Sequence, residues 1–166
     1  MSRMAAEKAK ELHDRYPDIS IPVDIEKMAE AEGCELIGWP FLEPVKEVKR
    51  GRWIGIAPGL DSRERRHLIA HALAHHLLHC GNQLSFHQQR QGEPGRQERE
   101  AEACAAHILI PSDELAVVIN MPVWELADYF DVPEELVSLR VNEYATPEEM
   151  ENWNEAYDEY AAFQGA

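Results

Sequence analysis

Four histidines recur at intervals of four residues along one stretch of the chain: His67, His71, His75 and His79. Side chains four residues apart lie on the same face of an α-helix, so two neighbouring imidazoles can bind one metal ion. Each four-residue step rotates by about 40° around an ideal helix, so we expect only two neighbours to share an ion. His71 and His75 are the favoured pair, because the residues around them are apolar and a buried polar group without a partner is costly.

A third metal ligand has to come from another part of the chain, and the next predicted helix offers several. Its candidates are Glu98, Glu100, Glu102 and His107. Two histidines and one carboxylate, with a fourth position open to water, form a ligand set typical of catalytic zinc sites. Manganese, iron and cobalt also accept these donors, so the residues predict a divalent cation, with zinc expected.

The helix that carries the histidines is the strongest in the sequence. Asp61 and Glu64 have the spacing of a capping box at its start, and Gly81 predicts its end. Apolar residues occupy most of its circumference, which predicts a buried helix. A second buried helix is predicted over 97–110, and its many alanines would let another helix approach closely.

Shorter elements are predicted on either side of these two helices. Stretches 34–39 and 52–57 are rich in Ile and Trp and bounded by Pro and Gly, which predicts two short strands that could pair. Residues 82–96 are rich in Gln, Gly, Pro and Arg and predict a loop. Further helices are expected over 4–16, 23–32, 123–130, 133–144 and 147–163, and a short one capped by Ser112.

Length and composition exclude several classes of protein. The chain has 166 residues, 45% of them hydrophobic, which is typical of one domain with its own core. Thirty-one acidic against 16 basic residues give a net charge of −15, so we expect no direct nucleic-acid binding, which requires local positive charge. Three cysteines without a CxxC pair, a charged N-terminus and no long apolar segment predict a cytoplasmic protein that crosses no membrane.

Three passages together resemble the ImmA/IrrE family of metallopeptidases, also termed the M78 or DUF955 domain. Residues 67–79, HLIAHALAHHLLH, resemble the family's FTLAHELGHLLLH helix. Residues 98–111, EREAEACAAHILIP, resemble its ExEANxFAAELLMP segment, and residues 124–141, WELADYFDVPEELVSLRV, resemble its LAxxFxVSxxxVxxRL tail. The resemblance extends over roughly residues 20–145 and is specific as an ordered set.

The resemblance implies zinc bound by His71, His75 and Glu98. It places Glu102 where a carboxylate holds a metal-binding imidazole and fixes its tautomer. Glu100 remains the alternative third ligand, because the register of this segment depends on a short motif.

The sequence departs from the family at the residue that transfers the proton. Where the family has HExxH, residues 71–75 are HALAH, with Ala72 in the place of the glutamate. In zinc peptidases that glutamate takes a proton from water and passes it to the leaving amine, and a methyl group can do neither. We therefore expect impaired or absent peptidase activity. Three explanations are open: a natural pseudo-peptidase that uses the fold for binding, an enzyme that recruits another base from Glu64, His79 or Glu102, or an inactivating substitution introduced at position 72.

The implied fold is α+β: a mostly helical gluzincin-like metallopeptidase core with a small two- to three-stranded sheet and a helical C-terminal part. We expect one domain over residues 1–166, with 1–121 as the metal-binding core and 122–166 as a C-terminal helical subregion.

The implied function is that of a zinc metallopeptidase domain that acts on or binds a protein, such as a basic helix-turn-helix repressor. An acidic surface suits a basic partner. The alternative is a non-catalytic, metal-stabilised protein that binds a regulator, toxin or antitoxin. The sequence does not give the oligomeric state.

Residues 124–141 have helix-turn-helix character, but acidic residues surround their single basic one, Arg140. Phosphates would be repelled by this charge, so core packing is favoured over DNA binding. Arg140 itself is expected to point toward the metal cleft and hold a substrate carbonyl or an acidic neighbour.

Overall fold

The computed structural model describes residues 3–38, 45–78, 85–87 and 95–165. Within these ranges the chain forms helices around a buried core, with a small mixed sheet beside the histidine-bearing helix. The helices are α1 (Arg3–Arg15), α2 (Ile25–Ala31), α3 (Ser62–Leu78), α4 (Arg96–Leu109), α5 (Ser112–Val118), α6 (Val123–Phe130), α7 (Glu134–Asn142) and α8 (Pro147–Gln164). The strands are β1 (Glu35–Gly38), β2 (Glu47–Arg50), β3 (Trp53–Ile56) and β4 (Ser85–His87). The predicted α+β class is confirmed.

The sheet has the strand order β1-β3-β2-β4. β1 and β3 pair in parallel, with Leu36 opposite Ile54, while β2 runs antiparallel to both β3 and β4. β1 and β3 are the two strands predicted from the sequence, and they pair as expected. β2 is not predicted, and β4 lies within the stretch 82–96 that is predicted as a loop, so the loop prediction is wrong for Ser85–His87.

α3 begins and is buried as predicted. Asp61 Oδ1 accepts hydrogen bonds from the backbone N–H groups of Arg63 (2.9 Å) and Glu64 (3.2 Å), which caps the helix. Glu64 does not complete the capping box, because its carboxylate pairs with Lys46 Nζ at 2.5 Å. Every residue from 68 to 75 is buried, with β2, β3 and α4 all packed against the helix. Gly81, the predicted end of the helix, lies outside the described residues.

α4 packs on α3, and small residues make up much of its buried side. Ala101, Ala105 and Ala106 are fully buried, and Ala103 is nearly so. The contact between α3 and α4 is the most extensive of any pair of elements in the described chain. The acidic residues of α4 are thereby brought next to the histidines of α3.

The segment with helix-turn-helix character belongs to the core. Leu126, Phe130 and Val137 are buried, and α7 packs on α4. The prediction of core packing is confirmed.

None of the described helices combines the length and the apolar character needed to span a bilayer.

Arg140 is fully buried and pairs with an acid of the next helix. Its Nη1 donates to Glu149 Oε2 at 3.0 Å, and its Nε donates to the carbonyl of Ile110 at 3.2 Å. The expected acidic neighbour is therefore Glu149, and the suggested role toward a substrate is wrong, because these donors are already engaged. Ser112 Oγ also donates to Glu149, at 2.5 Å. Ser112 does not cap α5, whose N-cap residue is Pro111.

Candidate metal centre

Two imidazoles on consecutive turns of α3 form the centre of the site. His71 and His75 are 2% and 6% exposed, and their Nε2 atoms lie 3.2 Å apart. The rings meet edge to face, with centroids 4.9 Å apart. Two ring nitrogens this close repel each other unless a proton or a cation is shared between them, so the pair is suited to hold positive charge.

Glu98, in the first turn of α4, completes the cluster. Its Oε2 lies 3.1 Å from His71 Nε2, and its Oε1 lies 3.1 Å from His75 Nε2. One ligand atom from each of the three residues lies within 4.8 Å of the others. A tetrahedral zinc ion with bonds of about 2.0 Å holds its ligand atoms roughly 3.3 Å apart. The 3.2 Å between the two imidazole nitrogens, and the 3.1 Å from each of them to one oxygen of Glu98, are close to this spacing. The Glu98 side chain is 30% exposed, which leaves one side of the cluster open to solvent.

Glu102, one turn further along α4, holds His71 through the other ring nitrogen. His71 Nδ1 lies 2.9 Å from Glu102 Oε2, and His67 Nε2 lies 2.7 Å from Glu102 Oε1. Donation from Nδ1 places the proton of a neutral His71 on that nitrogen and leaves the Nε2 lone pair directed at the cluster. Glu102 therefore has the contacts of a residue that positions a metal-binding imidazole.

The imidazoles and carboxylates perturb one another's ionisation. Burial acts to lower the pKa of His71, but its hydrogen bonds to Glu102 and Glu98 raise it to about 10. Hydrogen bonds from His71 and His75 hold the pKa of Glu98 well below its usual range. Burial acts to raise the pKa of Glu102, yet the bonds from His67 and His71 lower it below its usual range. Two ionised carboxylates thus surround the imidazoles, and this charge attracts a cation.

The other ligand candidates from the sequence have different partners. The carboxylate of Glu100 pairs with Arg96 Nε at 3.0 Å. His107 Nε2 donates to the carbonyl of Tyr144 at 2.8 Å, and burial lowers the pKa of His107 to about 4. Neither residue belongs to the three-residue cluster found in the described chain. His79 lies outside the described residues.

Position 72 offers no proton acceptor, and the described replacement candidates are already engaged. Ala72 is fully buried next to His71. Of the predicted replacements, Glu64 is paired with Lys46, and Glu102 has each of its oxygens bonded to a histidine.

Glu47 on β2 interacts electrostatically with the cluster, and the sequence does not predict it as a candidate. It is fully buried, and neither of its carboxylate oxygens has a hydrogen-bond partner among the described residues. Burial raises the pKa of Glu47 to about 7, the nearby His71 acts to lower it, and Glu98 acts to raise it further. In the sequence the residue begins the polar stretch EVKR, which gives no indication of a strand with a buried face. The pairing of β2 with β3 shows that this stretch is a strand, and the sequence alone does not reveal that pairing.

Comparison with known proteins agrees with this geometry. Residues 30–142 match the Peptidase M78 family, described as the IrrE N-terminal-like domain. The match runs from the end of α2 to the end of α7 and covers more than half of the chain, with the whole cluster inside it. No curated protein matches the chain. The chain therefore belongs to the Peptidase M78 family and is a metallopeptidase-type domain of the IrrE kind.

Proposed function

We propose that this domain binds a zinc ion through His71, His75 and Glu98 and acts on, or binds, a protein. The observation that carries the proposal is the convergence of these three side chains, whose ligand atoms lie within 4.8 Å of one another. Two imidazoles and a carboxylate leave a coordination position open to water, as catalytic zinc sites require. Manganese, iron and cobalt accept the same donors, and zinc is the expected ion.

The chain's own residues prepare the site for hydrolysis of a peptide bond. Zinc, when bound, supplies Lewis-acid polarisation of the scissile carbonyl. Glu102 holds the ring of His71 so that Nε2 faces the cluster. The packed helices and sheet bury His71 and His75, and the exposed edge of Glu98 is the side from which a substrate approaches.

Ala72 makes hydrolysis slower than the HExxH arrangement allows. A general base contributes about 10²–10⁴-fold to rate, which corresponds to roughly 3–5 kcal/mol of barrier. The three metal donors do not include residue 72, so we expect zinc binding to persist where turnover is impaired.

The proposed substrate or partner is a protein with a basic surface. A net charge of −15 steers basic partners toward the domain and repels nucleic acid. A basic DNA-binding repressor of the helix-turn-helix class fits this requirement. The proposed setting is the cytoplasm, with no attachment to a membrane.

A second candidate function is that of a non-catalytic, metal-stabilised binding protein. Ala72 favours it, because a site that only binds has no need of a proton acceptor at that position. In this case the ion joins α3 to α4, and the acidic surface binds a regulator, a toxin or an antitoxin.

Incubation with a basic helix-turn-helix repressor separates the two functions. The chain and its Ala72→Glu variant are loaded with zinc, and a His71→Ala/Ala72→Glu variant serves as the control that lacks a metal ligand. Cleavage by the chain itself supports the peptidase, and cleavage by Ala72→Glu alone, or a stable complex without cleavage, supports the binding protein. Failure of the chain to bind any divalent ion would contradict both.

A further inference from the structure

β2 places a buried carboxylate beside the metal-binding side of α3. The strand packs against α3, and Glu47 and Lys49 alternate onto its buried face while Arg50 is exposed. Glu47 interacts electrostatically with both His71 and Glu98. Its carboxylate is therefore within electrostatic range of the cluster, on the side that the sheet covers.

Glu47 has no hydrogen-bond partner in the part of the chain that the structure describes. Lys49, on the same face of β2, donates instead to the carbonyl of Gly51 at 2.6 Å. Both carboxylate oxygens of Glu47 lack a hydrogen bond among the described residues. A buried carboxylate of this kind costs stability, and such groups in folded proteins are associated with chemical roles.

Glu47 lies near the ligand set without being part of it. The described residues whose ligand atoms approach within 4.8 Å of one another are His71, His75 and Glu98. A carboxylate next to such a cluster, but outside it, is placed to act on a molecule bound there.

We propose that Glu47 is the proton acceptor for peptide hydrolysis at this site, in place of the glutamate that is missing at Ala72. The proposal rests on the function proposed above. Water gives one proton to Glu47, and its oxygen bonds to the carbonyl carbon of the peptide. When the C–N bond breaks, Glu47 returns that proton to the leaving nitrogen, so one water is consumed and an acid and an amine are produced.

The alternative acceptors are less suitable by their contacts. Glu64 is held by Lys46, and Glu102 uses both of its oxygens to hold histidines. A carboxylate has to have a lone pair directed at the water, and Glu47 is the described acid near His71 whose oxygens are not already hydrogen-bonded.

The test uses acetohydroxamic acid, a small zinc chelator that gives up its hydroxyl proton to a neighbouring carboxylate when it binds. Its affinity for the zinc-loaded chain is measured by titration calorimetry, and zinc affinity is measured separately by competition with a chromophoric chelator. Glu47→Gln removes the acceptor with little change in shape, and Glu47→Asp retains the charge on a shorter side chain. Glu64→Gln is the matched control, because Glu64 lies in the first turn of α3 and pairs with Lys46.

We expect Glu47→Gln to lower the affinity for acetohydroxamic acid by at least tenfold while zinc affinity changes less than threefold. Glu47→Asp should lower the affinity for acetohydroxamic acid less than Glu47→Gln does. Ala72→Glu added to Glu47→Gln should restore much of that affinity. Unchanged acetohydroxamic acid binding in Glu47→Gln, or an equal loss in Glu64→Gln, would overturn the role of Glu47 alone. So would a tenfold loss of zinc affinity in Glu47→Gln, since that result would make Glu47 a ligand. If the unmodified chain binds no zinc, the proposed function fails and this role fails with it.

Discussion

His71 uses its two ring nitrogens for different purposes. Nδ1 is hydrogen-bonded to Glu102, whereas Nε2 faces Glu98 and His75. Glu98 and Glu102 are four residues apart and so share one face of α4, while Glu100 between them pairs with Arg96. The face of the helix, rather than the type of residue, therefore separates Glu98 and Glu102, which contact the histidines, from Glu100.

The first prediction distinguishes the two candidate acidic ligands. Glu98→Gln removes a charged donor from the cluster, so zinc affinity should fall by more than about 100-fold, beyond the 10–100-fold typical of groups that only orient a ligand. Glu100→Gln, on the same helix, should change zinc affinity by less than about threefold, because the Glu100 carboxylate is bound to Arg96. Competition with a chromophoric chelator measures both, and a larger loss in Glu100→Gln would make Glu100 the ligand.

His107 provides a prediction about pH. Its folded-state pKa is lowered to about 4 from 6.5 by burial, so between these values the unfolded chain binds a proton that the folded chain does not. Stability should therefore fall as the pH decreases from 6.5 to 4, by up to about 3 kcal/mol from this residue. His107→Gln retains an N–H donor for Tyr144 and does not titrate, so its unfolding free energy should vary less with pH.

Urea unfolding from pH 4 to 7, with a chelator present, measures how the unfolding free energy of the chain and of His107→Gln depends on pH. Burial also lowers the pKa of His13, so adding His13→Gln should make the unfolding free energy depend still less on pH. Parallel profiles for the chain and His107→Gln would contradict the prediction.

At the scale of elements, local signals predict α3 and α4, whereas the sheet depends on pairing between distant residues. Asp61 caps α3 as its position in the sequence indicates, and the alanines of α4 account for its close packing. The sequence of β2 is polar. Its Glu47 and Lys49 are buried because the strand pairs with β3 and β4 and packs against α3. The sequence therefore predicts the histidines and acids carried by helices, and it does not predict a carboxylate positioned by the sheet.

The junction of α7 and α8 depends on a buried ion pair. Arg140 is fully buried against Glu149, and Glu149 also accepts a hydrogen bond from the N–H of Thr146 in a capping box. Arg140→Met leaves the Glu149 charge buried and unpaired, which should cost about 3–5 kcal/mol of unfolding free energy. Adding Glu149→Met should recover much of the loss, because replacement of both members of a buried pair by apolar residues is often neutral.

The matched control for this prediction is Arg63→Met. Arg63 pairs with Asp128 at 2.6 Å, but both side chains are substantially exposed, so the loss should stay below about 1 kcal/mol. Urea unfolding measures all of the variants. Equal losses in Arg63→Met and Arg140→Met would contradict a special role for the buried pair.

At the scale of the whole molecule, the chain carries a net charge of −15, and two of its carboxylates, Glu98 and Glu102, lie beside buried histidines. Self-repulsion of this charge destabilises the compact state, and any dissolved cation reduces it by screening. A specific ion acts differently, because it binds the folded chain at one place and joins α3 to α4. The two effects can be separated by comparing cations of equal charge.

We therefore expect zinc to stabilise the chain far more than magnesium at the same concentration. Zinc at about 1,000 times its dissociation constant adds about 4 kcal/mol, which for a domain of this size raises Tm by roughly 10 °C. Magnesium prefers oxygen donors and screens charge equally well, so its shift should be small. A His71→Ala/His75→Ala variant should lose the zinc shift, whereas His76→Gln, which changes a half-buried histidine outside the cluster, should retain it. Scanning calorimetry measures these shifts in Tm. Equal Tm shifts with both cations, or a zinc shift that remains in His71→Ala/His75→Ala, would contradict the prediction. Either result would mean that the acidic surface, and not the cluster, responds to the ion.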